Sequence, residues 1–196
     1  MGTRWVWGAL VSAAVVCAAS GSAAQGSTSK LSLGAYLVQG HEETGMHPTG
    51  KAVADRTPAQ WTANGTPNAA AEDKRLRQEG FREVISVQTG ASSAQGVSWA
   101  MELASASAVA REQAAELKEF AYGPDAPTKA TRFSVLGVAS AEGWAFPGAD
   151  ANVLFTEGRC LLLVGDQLSG SVKPPVIAAT RAIWARTHGK PGACAS

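Results

Sequence analysis

Charge of either sign is scarce in this sequence. Only 17% of its 196 residues are charged, with 17 Lys and Arg against 16 Asp and Glu. So even a balance leaves no broadly basic surface. That excludes nucleic-acid binding driven by phosphate neutralisation and a polybasic hold on anionic membranes. Cysteine is limited to 3 residues and the aromatics to 7%, and no paired Cys-x-x-Cys pattern offers a zinc site. The 21 Gly and 9 Pro gather between periodic segments and form no low-complexity tract. The composition is therefore neither fibrous nor disordered. What is present, 45% hydrophobic residues in a chain of this length, suits one globular domain.

The first residues read as an address. Arg4 supplies one positive charge, Trp5 to Ala19 is apolar or small, and Ser20 to Ala24 is small. This is the order of a secretory signal, and the run is shorter than the roughly 20 residues that span a bilayer. Two processing routes fit. Small residues at Ser22-Ala23-Ala24 suit cleavage before Gln25, while Cys17, closing the apolar run, offers lipidation, although Val16 stands where a lipobox has a small residue. Cleavage before Gln25 is favoured. The organisation expected is a signal peptide over 1–24, a linker over 25–30, one domain over 31–189 and a tail over 190–196.

Loss of Arg4 leaves 16 basic against 16 acidic side chains. Loss of the signal also leaves two cysteines, Cys160 and Cys194, in an oxidising compartment where disulfides persist. A bridge between them is expected, closing a loop worth roughly 4 kcal/mol in the chain-entropy model.

The spacing of apolar residues then gives the elements. Leu31 to Gly40 suits a first strand, and the Gly, Pro and Thr-rich stretch His41 to Arg56 a loop. Thr57-Pro58 caps a short helix through Trp61, and a second helix runs from about Ala69 to Gly80, its charges Glu72, Asp73, Lys74, Arg75 and Arg77 forming a solvated face. Phe81 to Gln88 and Gly96 to Ala104 alternate as a hairpin. Ser105 then caps a helix to about Tyr122 whose stripe of Val109, Gln113, Leu117 and Phe120 should lie on the sheet. A strand follows near Arg132 to Val138. Next come a hairpin of Asn152 to Phe155 with Cys160 to Val164, and a last helix over roughly Pro175 to Thr187. Cys160-Leu161-Leu162-Leu163-Val164 is apolar throughout, as a strand covered on both faces must be.

The expected class is α+β, an antiparallel sheet of about six strands with helices mainly on one face. The order strand, hairpin, helix occurs twice and suggests an internal two-fold repeat. Tyr36-Leu37-Val38 leading to Glu43-Thr44-Gly45, the Gly80-Phe81 helix exit, Phe133 to Gly143-Trp144, and Asn152 to Phe155 with Gly158 and Leu163-Val164-Gly165 resemble a loosely defined group of secreted proteins and lipoproteins of high-GC Gram-positive bacteria. The resemblance implies export and an envelope location and gives no residue a role.

Catalytic chemistry is little signalled. His41-Glu42-Glu43 and His47 are metal-ligand types, but two His six apart in a Gly-Pro loop share neither a helix face nor a strand face. No Gly-x-Ser-x-Gly elbow is present, Ser169-Gly170-Ser171 reads as the loop into the last helix, and Cys160 opens an apolar strand where a thiol is a poor nucleophile. No motif implies a catalytic residue, metal or cofactor. Trp61 and Trp144, each at the edge of a Gly-Pro-rich stretch, are the candidates to line a ligand groove. The reading is an exported, non-enzymatic envelope or secreted module that binds a partner or small ligand, touching membrane only if lipidated at Cys17. The alternative is a secreted hydrolase whose site is assembled only in three dimensions. A Ser or Cys within reach of His41, His47 or His188 in a pocket would favour the hydrolase, and a dry pocket of Trp and Leu the binder.

Overall fold

The computed structural model describes residues 30–42, 44–63, 68–91, 94–121, 130–148, 150–167 and 173–195. The signal peptide, both processing positions, Cys17, the linker before Lys30, Glu43 and the Ser169 to Ser171 loop lie outside the described residues. The strands are β1 (His47–Pro48), β2 (Val53–Asp55), β3 (Glu83–Ala91), β4 (Ala94–Glu102), β5 (Thr131–Ser134), β6 (Glu142–Ala145), β7 (Asp150–Glu157) and β8 (Cys160–Gln167). The helices are α1 (Pro58–Thr62), α2 (Ala69–Gln78), α3 (Ala106–Glu116), continued by a π-turn over Leu117–Ala121, and α4 (Lys173–Thr187). All eight strands form one sheet in the order β1-β3-β4-β8-β7-β6-β5, with β2 also on β3, and every pairing is antiparallel. The α+β class is as expected.

The local signals act as their chemistry requires. Thr57 and Gln60 close a capping box over α1, with Pro58 at its first helical position, and Ser105 accepts a hydrogen bond from the Ala108 amide at the start of α3. At the end of α2 the Gly80 amide donates to Arg77 O and the Phe81 amide to Leu76 O, with Gly80 at φ 66°. This is the doubly bonded exit that a glycine makes without steric cost.

Alternation along the central strands divides the apolar side chains between two faces. Val84, Trp99, Met101, Leu154 and Leu161 join Trp61, Leu76, Val109 and Leu117 in one core, so α1, α2 and α3 cover that face. Ala100, Val153, Phe155, Leu162 and Val164 join Val176, Ala179 and Ile183 of α4 in the other. Three helices thus lie on one face and α4 on the opposite one. That is why β8, the central strand, is apolar at successive positions.

Three features differ from the sequence expectation. Leu31 to Gly40 is no strand: Leu33–Tyr36 form a 3₁₀ turn, and Leu33, Tyr36, Leu37 and Val38 all enter the α4 core. Consecutive residues on one side of a sheet do not fit a strand's alternation. The Val38 amide donates to the Ser98 hydroxyl instead of to a ladder. The supposed loop contains the short strands β1 and β2, and β6 is an unforeseen strand beside β5, which brings the count to eight. The repeat is also incomplete. β3-β4 and β7-β8 sit symmetrically about the β4/β8 pairing, but α3 and α4, the helices that follow them, pack on opposite faces. A two-fold axis through the sheet would place both helices on one face.

Candidate functional site

Cys160, at the start of β8, and Cys194, in the segment after α4, form a disulfide with their Cα atoms 5.1 Å apart. The tail is held beside it by main-chain bonds. The Arg159 amide donates to Cys194 O and its Nε to Ala193 O, while Leu31 donates to Pro191 O and accepts from the Ala193 amide. Gly192 is required where the two ends of the domain meet, because a Cβ there would lie 2.7 Å from that of Leu31 and 2.9 Å from the Tyr36 hydroxyl. Burial, reinforced by the charge of Glu157, raises the Tyr36 phenol above its ordinary pKa.

Between this tail and the β7-β8 turn lies an open cleft of about 410 Å³, lined by Glu157, Gly158, Gly189, Lys190, Pro191, Cys194 and Ala195. The turn and the exit of α4 shape it, with Gly158 at φ 53° and Gly189 at φ 69°. The Glu157 carboxylate accepts from the Gly189 amide at 3.1 Å and pairs with His188 Nδ1 at 2.8 Å, and the imidazole stacks on Trp184 with ring centroids 3.9 Å apart. One wall therefore carries a positioned carboxylate and the other the ammonium of Lys190. Such a cleft can accept from and donate to a polar group.

The residues singled out in the sequence are dispersed. Trp61 and Trp144 are buried side chains in the core of the α1–α3 face. Trp61 packs edge-on against Trp99 and donates its indole N–H to Glu72 at 2.8 Å. A neighbouring Gly-Pro-rich stretch reflected the turns around these residues and carried no information about the rings' exposure. His41 and His47 are exposed, and Glu42 turns away to pair with Arg186 of α4. Among the described residues no group of three or more His, Cys, Asp or Glu side chains could hold a metal ion. His188 sits near the end of α4, as expected, with Glu157 as its partner and no Ser or Cys on it among the described residues. The cleft is lined by no Ser, Trp or Leu, and its Cys194 is tied up in the disulfide, so neither arrangement that would separate hydrolase from binder is present there.

The sequence reading missed a second cluster. Asp73 and Arg77 do form an exposed pair on α2, but Glu72 and Arg75 turn inward. Arg75 donates through Nε and Nη2 to both oxygens of Glu112, at 2.8 and 2.9 Å, and through Nη2 to Glu116 at 3.1 Å, with Glu119 at 3.9 Å. Glu72, Glu112 and Glu116 are all buried. Burial alone would lower the pKa of Arg75, but the Glu112 hydrogen bonds and the surrounding carboxylates outweigh it and hold the guanidinium more firmly charged than usual. For Glu116, burial and then the charges of Glu72 and Glu112 push the carboxyl well above the ordinary carboxylate range, against the pull of Arg75. The signal was available: Glu112, Glu116 and Glu119 recur at spacings of four and three, one stripe of a helix.

No family model matches the chain, and no curated protein matches it. Among solved structures it is similar to the crystal structure of the extracellular domain of PknH from Mycobacterium tuberculosis, with 11% sequence identity over 77% of this chain and 94% of that one and a TM-score of 0.46.

Proposed function

We propose that this chain is an exported, non-enzymatic module of the cell envelope or the extracellular space, and that it binds a partner or small ligand at the cleft beside its disulfide. The observation that carries the reading is the Cys160–Cys194 bridge. A buried cross-link between the central strand and the chain end needs an oxidising compartment to form and persist, and the leader supplies the route there. No described helix is long and apolar enough to cross a membrane. The cleft supports a polar contact, since Glu157 is already oriented by His188 and Gly189 and needs little ordering when a donor arrives.

The full chain, expressed in a high-GC Gram-positive host and alkylated before lysis, tests the compartment. Extracytoplasmic protein without an alkylatable thiol is expected, and cytoplasmic, unprocessed protein in which Cys160 and Cys194 are both alkylated would overturn the reading. The mass of the mature N-terminus separates cleavage before Gln25 from lipidation at Cys17. For the cleft, NMR titration with fractionated envelope extract is expected to shift the Gly158, Gly189 and Lys190 amides. Shifts confined to other surfaces would remove the cleft from the proposal.

A further inference from the structure

The cluster at the α2–α3 contact has an imbalance that its geometry makes explicit. Four carboxylates, those of Glu72, Glu112, Glu116 and Glu119, surround the single guanidinium of Arg75. Each adjoining element contributes. From α1, the Trp61 indole donates to Glu72 Oε1. Asn68, just before α2, donates to Glu119 Oε1 at 3.3 Å. From α3 come Glu112 and Glu116, and from the π-turn Glu119. At the rim Arg111 is occupied by Glu79 at 2.6 Å. The charges acting on Glu116 are those of Glu72, Glu112, Arg75 and Glu119, three negative and one positive.

Arg75 uses its Nε and Nη2 on the two oxygens of Glu112, and Nη2 is shared with Glu116. One cation cannot neutralise a further buried carboxylate as well, and a buried uncompensated charge recovers its lost hydration most cheaply by binding a proton. We propose that α2 and α3 are joined through a proton: the contact is closed while a proton resides on Glu116 and loosens when that proton leaves. Acid then tightens the contact and alkali opens it, the reverse of an ordinary ion-paired surface, whose carboxylates lose their partners in acid. The joint adjoins Trp61 and, through it, Trp99 of the central strand β4. Its opening would therefore be felt by the core on that face and leave the α4 face untouched.

A carboxyl whose pKa is higher folded than unfolded contributes stability that is complete below the unfolded value and is lost as pH rises through the folded one. Thermal unfolding of the full chain between about pH 5 and about pH 9 is therefore expected to show a melting temperature that falls toward alkali. Glu116→Gln, which keeps an oxygen to accept from Arg75 and can carry no charge, is expected to flatten that fall. Parallel curves for the two proteins would overturn the proposal. A second measurement needs no variant, namely the side-chain carboxyl carbon of Glu116 followed by NMR in the wild-type protein. A titration midpoint well above those of the exposed glutamates, accompanied by loss of protection of the Trp61 indole N–H, is expected. Titration together with the exposed glutamates at about 4.3 would overturn the proposal, and so would an indole signal indifferent to that step.

Discussion

Replacing both Cys160 and Cys194 by alanine isolates what the cross-link contributes. The double variant leaves no unpaired thiol, and both positions are fully buried, so an apolar side chain suits each. The bridge spans 34 residues, and closing a loop of that size removes about 12.6 cal/mol/K from the unfolded chain, or about 3.8 kcal/mol at 25 °C. The native state should change little. The Arg159, Leu31 and Ala193 hydrogen bonds continue to hold the tail, so the loss falls mainly on the unfolded side of the equilibrium. For a domain of this size each kcal/mol moves the melting temperature by about 2–4 °C, giving an expected fall of about 8–15 °C. Urea unfolding of the oxidised wild type and the variant measures the free energy directly. The variant should also show a larger denaturant slope, because its unfolded chain exposes more surface. Unchanged near-ultraviolet circular dichroism would confirm that the native fold is retained. A loss below about 1 kcal/mol with native dichroism would refute the reasoning, because it would mean that the unfolded chain is not expanded by releasing the loop.

Two substitutions test the packing on either side of the sheet. Gly80→Ala places a Cβ in the left-handed region and 2.7 Å from the Cβ of Ala104. It should destabilise by about 1–3 kcal/mol in urea unfolding, where a surface helix end free of both constraints would gain from alanine. Phe155→Ala, in β7 under α4 with its ring fully buried, should cost about 3–5 kcal/mol by the same assay.

The sequence made the fold legible wherever a period or a cap had room to appear. Helices α1 to α4 follow from capping residues, prolines at helix starts and helical periodicity, the hairpin β3-β4 from sustained alternation, and the hairpin β7-β8 from the Gly158 turn beside the unbroken apolar run of Cys160 to Val164. The disulfide followed from counting cysteines after the leader. What was illegible shares a cause: sequence pattern reports the type of a side chain and its local period, but not what lies across the interface. Glu72 and Arg75 looked solvated because charge is normally exposed, and only the facing stripe of Glu112 and Glu116 turns them inward. Trp61 and Trp144 lie near turns yet point into the core. Glu157 and His188, 31 residues apart, meet only because the disulfide end of α4 returns to the β7-β8 turn.

The short strands were illegible for a different reason. β1 has two residues, β2 three, and β5 and β6 four each, too few for an alternation to be distinguished from a turn-rich loop. The same shortness bears on dynamics. β1 and β2 divide one edge of the sheet between them and β5 is the last strand in the order at the other, so among the described residues each has a strand neighbour on one side only, and their side chains are mostly exposed. By contrast β8 is paired along its length with β4 and with β7 and is covered by α3 on one face and α4 on the other. Opening β8 therefore requires both cores to separate, whereas fraying β5 breaks a single ladder of four residues. Native-state hydrogen exchange should then show the β4 and β8 amides opening only with global unfolding, and the β1, β2 and β5 amides exchanging at least about a hundredfold faster through local events. Protection of the β5 amides equal to that of β8 would show that something besides β6 covers this edge, and would contradict the placement of β5 as the terminal strand.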